Sequence, residues 1–257
     1  MDISFTQLTE WMGIVWWPFM RFAGFFMLAP FFGDNKIPVM VRLLLAWWFA
    51  ILCSGMVGDV PSFNPFSVEA VLFSFYQLSF GLILGLAVVL FMTIFTLAGQ
   101  AISIQMGLSM AVMNDPSNGV SIAIIGRLFS ITSMLVFLSL DAHLVVLDIF
   151  ADSFRFWPMS TPYPFESIQY LITMAGWMFS SALVVAIPAI ITMLLSNLTF
   201  GFMNRVAPAL NVFALGFPMT MMLGLVALLI STFGVGDIFF DLMTELSDHL
   251  NQLLRLA

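Results

Sequence analysis

Residues 69–97 read EAVLFSFYQLSFGLILGLAVVLFMTIFTL, an apolar run whose one charge is Glu69 at its start. A helix crosses the hydrocarbon core of a bilayer with roughly 20 mainly apolar residues, and this run is long enough. Backbone polar groups in lipid have to be satisfied within the segment, so such a run is expected to be helix. Outward from it, five more stretches of the same kind lie near 11–32, 39–57, 123–150, 171–197 and 207–234. Polar or Pro/Gly-rich breaks separate them: Gly33-Asp34-Asn35-Lys36, Gly58-Asp59-Val60-Pro61, Asn114 to Gly119, the stretch around Trp157 to Glu166, and Asn204-Arg205. No alternating strand pattern suggests a transmembrane barrel. The expectation is an all-α integral membrane protein with about six hydrophobic helical segments.

Composition gives the same class. Of 257 residues, 61% are hydrophobic and 8% are charged, against about 45–50% and about 25% in a soluble domain. Too few charges are present to build a water-soluble surface. The formal net charge of −7, with Lys36 as the one lysine, argues against nucleic acid as a partner, because that needs a basic face. It also leaves no polybasic stretch for anionic lipids. Asp237, Asp241, Glu245 and Asp248 read as a solvated helix end. Cys53, the single cysteine, reads as a small core residue without an internal disulfide partner. The N-terminus carries Asp2 and Glu10 and no Lys or Arg before Arg21, unlike a signal peptide, so the first apolar segment is expected to be retained. The positive-inside bias favours both termini outside, with Lys36, Arg42, Arg127 and Arg205 at inward loops.

Pro18, Pro30, Pro188 and Pro218 interrupt apolar segments, and Arg21 lies inside the first. Prolines and buried charges are tolerated where neighbouring protein can satisfy the freed groups. That pattern fits an assembly packed against partners, and it also fits ordinary kinked membrane helices.

No catalytic constellation stands out, and no cofactor is implied. The chain has no HExxH, CxxC, P-loop or GxSxG pattern. Asp141 and His143 are two residues apart and face different directions on a helix, whereas Asp141 and Asp148 share a face. Ionisable groups in apolar segments raise a metal or proton-relay reading; the alternative is a helix end with local hydrogen bonds. Asp152 and Arg155, three apart, are spaced to pair.

Two clusters carry more information. Gly99 to Ser121 reads GQAISIQMGLSMAVMNDPSNGVS, less apolar than its surroundings and ending in turn formers. Met106, Met110 and Met113 recur there at helical spacing. Thioether side chains close around varied apolar shapes, and Gly107 and Gly119 allow bending or close backbone approach. A compliant gasket and plain core packing both account for this pattern. The second cluster, Asn197 to Pro218, reads NLTFGFMNRVAPALNVFALGFP. Asn197, Asn204, Arg205 and Asn211 set hydrogen-bond donors beside apolar helices, and Pro208 suits the first turn of the last span. A structural turn and an intersubunit contact are both open.

Together with the first hairpin, these clusters carry a family resemblance. Arg21, Pro30, Phe32, Pro38 and Arg42 match in the hairpin. Gly99, Gln105, Met106, Gly107, Ala111, Asp115 and Pro116 match in the middle, followed by Asp141, His143, Ser153 and Pro158. Asn197, Gly201, Arg205, Pro208, Asn211, Phe213, Gly216 and Pro218 match in the last segment. In order and spacing the chain resembles the FliR family of flagellar type III export-gate subunits, called SctT in injectisomes. It departs at Ala142, where the family commonly has glycine, and at Ala209, where it commonly has glutamine.

The resemblance implies a non-enzymatic subunit that joins FliP and FliQ in a helical, pore-forming gate. That gate sits in the bacterial inner membrane at the flagellar basal body, displaced from the ordinary bilayer plane. FlhB would associate with it and FlhA act with it in export. Unfolded flagellar proteins would pass through, driven by the proton motive force and a separate ATPase complex. By the same resemblance, residues 1–170 form a FliP-like part and residues 171–257 a FliQ-like hairpin. The stretch 106–121, with Met106, Gly107, Met110, Met113, Asp115, Pro116 and Gly119, becomes a plug loop. Arg21, Arg42, Asn197, Arg205, Pro208 and Asn211 become candidate subunit contacts. A secondary transporter of a small solute and an intramembrane enzyme using Asp141, Asp148 and His143 are the competing functions.

Overall fold

The computed structural model describes residues 5–30, 32–33, 37–57, 67–108, 123–158, 165–206, 212–232 and 234–256. Within them every regular element is helical. The helices are α1 (Phe5–Leu28), α2 (Val39–Cys53, continued by a 3₁₀ turn at Ser54–Met56), α3 (Val68–Gln105), α4 (Ile124–Ser139), α5 (Ala142–Phe156), α6 (Phe165–Val206), α7 (Val212–Thr232) and α8 (Val235–Arg255).

The described parts of the six apolar stretches are mostly helical, but they are not six equal spans. Among the described residues three helices are long and apolar enough to cross a membrane: Val39–Met56, Val68–Gln105 and Phe165–Val206. A fourth is reached if α4 and α5 count as one broken span. The apolar helices Met12–Leu28 and Pro218–Ile230 are shorter. The expectation of one continuous span over 123–150 is therefore corrected, because the helix breaks at Leu140–Asp141.

Local chemistry explains several boundaries. Ser67 caps α3, its Oγ accepting the N–H of Ala70 at 3.2 Å, which satisfies one of the orphan donors of the first turn. Glu69 sits in that first turn, at the positive end of the helix dipole. Pro30 follows α1 rather than interrupting it, and the chain turns there with Gly33 N donating to Ala29 O at 2.8 Å. Pro18, Pro188 and Pro218 do lie inside α1, α6 and α7. α8 places Phe239, Leu242, Leu246, Leu250 and Leu253 inward and Asp237, Asp241, Glu245 and Asp248 outward, the solvated face its spacing implies.

The chain forms two compact units. The first comprises residues 1–90, 141–175 and 244–257. In it α1 and α3 approach with almost no side chain between them. A Cβ on Gly24 would meet the backbone of Leu78, and one on Gly81 would meet the carbonyl of Arg21 and, at 2.8 Å, the nitrogen of Phe25. Gly81 and Gly85 are a small-xxx-small pair, which lets apolar helices approach backbone to backbone. Around this contact lies an aromatic core. Phe22 is 4.4 Å from Phe150 and 5.5 Å from Phe49, and Phe25 is 4.8 Å from Phe150, ring centre to ring centre. These are distances at which offset and edge-on ring pairs attract.

The second unit comprises residues 91–140 and 176–243. Its α3 and α4 meet at Gly99 and Gly126, where a Cβ on Gly99 would lie 2.8 Å from the Cα of Gly126. Phe239 of α8 packs 5.2 Å from both Phe91 and Phe95.

Candidate functional site

The stretch expected to form a plug begins at the end of α3, where its first residues are visible. Gly107 has φ 74°. Gly107 N donates to Ile104 O at 3.0 Å and Leu108 N to Ser103 O at 3.1 Å. That paired pattern is a Schellman cap, and glycine is the residue that enters it without a Cβ penalty. Gly107 thus ends the helix and turns the chain. Met106, one residue earlier, is fully buried at 0% exposure. A Cβ built on Gly224 of α7 would stand 2.7 Å from Met106 Cγ and 3.0 Å from Met193 Cε. The two thioether side chains therefore close on the bare backbone of α7 within the second unit. Met110, Met113, Asp115, Pro116 and Gly119 lie outside the described residues, as do Pro208 and Asn211.

In place of the subunit contact expected for Arg21, the structure shows an internal one. Its side chain is 0% exposed, so it has no surface to offer a neighbour. Nε donates to Gln77 Oε1 at 2.8 Å. Nη1 donates to the carbonyl and the hydroxyl of Ser153 at 2.9 and 3.2 Å, and Nη2 donates to the carbonyl of Trp157 at 2.7 Å. Phe154 and Phe80 lie 4.4 and 5.1 Å from the guanidinium carbon, ring centre to Cζ. No carboxylate takes part in these contacts. Ser153 and Trp157 stand at the C-terminus of α5, the negative end of the helix dipole, and the Ser153 carbonyl accepts the N–H of Trp157 at 2.8 Å as well as the guanidinium. Burying a cation costs several kcal/mol. Here a helix terminus, two side-chain acceptors and two aromatic faces offset that cost.

The other charged candidates lie further out. Arg42 Nη2 donates to Ile37 O at 3.0 Å, fixing the turn into α2. Asn197 and Arg205 are exposed on the C-terminal half of α6. Asp141 marks the α4–α5 break with φ 53°, a left-handed conformation rare for residues other than glycine and asparagine or aspartate. Leu144 N donates to its carbonyl at 2.9 Å. Asp141 and Asp148 are exposed, and no group of three potential metal ligands converges among the described residues. Arg155 and Asp152 form the exposed pair their spacing implies, at 3.4 Å.

The family model described as bacterial export proteins, family 1, matches residues 12–246. The chain belongs to this family. It is 32% identical to the flagellar biosynthetic protein FliR of Pectobacterium carotovorum subsp. carotovorum, over 94% of this chain and 97% of that one. To the protein of the same name from Escherichia coli (strain K12) it is 30% identical, over 98% of both chains. To the one from Bacillus subtilis (strain 168) it is 29% identical, over 82% of this chain and 83% of that one.

For this bacterial export protein, sequence reasoning found Arg21 and Ser153 separately but not their contact, and it missed Gln77 and Trp157 as partners. A signal was present: an arginine inside an apolar helix, with no acid one turn away, needs carbonyl acceptors. The Gly81–Gly85 spacing was likewise a readable sign of close helix packing in an export protein of this class.

Proposed function

We propose that this chain is a non-enzymatic subunit of the flagellar type III protein export gate, joined to FliP and FliQ in the bacterial inner membrane at the basal body. The gate passes unfolded flagellar proteins, FlhB associates with it and FlhA acts with it in export. One observation carries this reading beyond family membership, and it concerns α6. The helix has 42 residues, about 60 Å at 1.5 Å per residue, whereas the hydrocarbon core is about 30 Å thick. Its second half is apolar and exposed, with Leu194, Leu195, Leu198, Phe202 and Met203 uncovered beside Asn197 and Arg205. One bilayer thickness cannot cover such a helix. Apolar helices from sister subunits can, and they also offer acceptors for the amide and guanidinium.

Residues 1–170 act as the FliP-like part and residues 171–257 as the FliQ-like hairpin, the boundary falling inside α6 a few residues after Phe165. Residues 106–121 act as the plug. Met106 and the Gly107 cap root it in the core, and Met110 and Met113 supply the compliant seal.

Reconstitution tests this function. In proteoliposomes the chain alone moves no small solute, and a conducting pore forms when FliP and FliQ are co-assembled with it. Solute uptake by the chain alone would establish a transporter instead.

A further inference from the structure

Near its C-terminus α3 meets the start of α4 at a pair of glycines, both in the second unit. A Cβ on Gly99 would stand 2.8 Å from the Cα of Gly126, 2.8 Å from the carbonyl oxygen of Ile125 and 3.0 Å from the nitrogen of Gly126. All three atoms are backbone, so no flexible side chain can yield there. A Cβ on Gly224, by contrast, first meets the thioether arms of Met106 and Met193. Further back along α3, Phe91 lies 6.3 Å from Phe137, which is further on along α4. The two helices therefore run antiparallel, with Gly99 beside the first turn of α4. The chain leaves α3 at the Gly107 cap and stands beside α3 again at Gly126, opposite a residue about two turns before that cap. Both ends sit in packed surroundings: Met106 is fully buried just before the cap, and Ile125 and Phe129 are buried on α4.

We propose that the Gly99–Gly126 crossing is the positioning contact of the gate's seal: the backbone spacing there fixes the start of α4 against α3, and with it the ion leak of the resting gate. That role rests on the plug reading given above and adds the contact that keeps the plug in register. Gly107 and Gly126 flank the plug, and both are tied to one helix, the first by its cap and the second by the crossing. Ordinary contact at a Cβ needs 3.4–4 Å, and an alanine at position 99 finds 2.8 Å. The two backbones must then part by about 0.6 Å or more. A close-packed interior passes such a shift on instead of absorbing it. The start of α4 moves, while Met106, packed on Met193 and Gly224, stays with α3. A seal made of apolar side chains leaks once its gaps admit water and ions.

The test is the resting ion conductance of the gate co-assembled with FliP and FliQ and reconstituted in planar bilayers without export substrate. Gly99→Ala assembles and raises that conductance several-fold over the native chain. Ile125→Val thins the same turn of α4 at small folding cost and raises it less. Gly81→Ala forces a backbone collision of the same kind in the first unit and leaves conductance at the native level, which separates positioning from loss of stability. Added to a deletion of Met110 to Ser117, Gly99→Ala brings no further leak, because both changes act on one seal. Native conductance in an assembled Gly99→Ala particle overturns the proposal, and so does an equal leak from Gly81→Ala. Where Gly99→Ala yields no particle, native conductance of Ile125→Val overturns it. Unchanged conductance in the deletion itself removes the plug reading and this role with it, whereas a leaking deletion beside a tight Gly99→Ala particle removes the positioning role alone.

Discussion

Arg21 Nη1 donates to the carbonyl oxygen of Ser153 at 2.9 Å, across 132 residues of sequence. The contact ties a cation in the first helix to the C-terminus of α5, and Gln77 of α3 completes the grip. Replacing Arg21 with Met would leave the Ser153, Trp157 and Gln77 acceptors without these donors. Thermal unfolding in detergent should show a loss of about 2–4 kcal/mol. Arg21→Lys keeps the charge but cannot fork to three residues, and should lose about 1–2 kcal/mol. A Met variant as stable as the native chain would mean the contact contributes nothing.

The glycines divide into two sets with opposite expectations. A Cβ at Gly81 meets backbone atoms of Arg21 and Phe25, whereas one at Gly176 meets nothing within 4 Å. Gly81→Ala should therefore destabilise by about 1–3 kcal/mol, through forced separation of α1 and α3. Gly176→Ala should stabilise by about 0.5–1 kcal/mol through helix propensity. Equal effects of the two changes on the unfolding midpoint would contradict the close-approach account.

What the chain showed before its structure depends on the range of each interaction. The apolar runs and the acid spacing along α8 are local patterns, so they translate directly into helices and a solvated face. The helix end at Asp141 was one of two open readings, with no local pattern to decide it. Apolar residues continue on both sides, and the left-handed turn falls on an aspartate rather than a glycine. Arg21 was visible as a buried charge, but its acceptors lie on α3 and α5, and no spacing rule connects them. Met106 shared its periodicity with ordinary core residues, and only the bare backbone of Gly224 opposite it distinguishes the packing.

Asp141 holds φ 53° at the α4–α5 junction. Asparagine tolerates this region and glycine enters it freely, so Asp141→Asn should be close to neutral and Asp141→Gly neutral or stabilising. Asp141→Val places a β-branched side chain in the same conformation and should cost about 1–2 kcal/mol. Calorimetric melting of the three variants checks the order, and a neutral Val variant would argue against left-handed strain.

Met106 and the later residues of the proposed plug should behave differently. Met106→Ala opens a cavity against Gly224 and Met193 and should destabilise by about 2–4 kcal/mol. Deletion of Met110 to Ser117 should leave assembly intact and raise ion conductance through the reconstituted gate. Unchanged conductance in a correctly assembled deletion would remove the plug from the account.

The central claim is that these apolar helices are covered by sister subunits. Its most direct measurement is the mass of the intact particle purified after co-expression with FliP and FliQ. A single hetero-oligomeric mass is predicted, with less of that particle recovered from Arg205→Ala, whose exposed guanidinium would lose its contact. Recovery of the chain only as a lipid-bound monomer, in the presence of both partners, would contradict it.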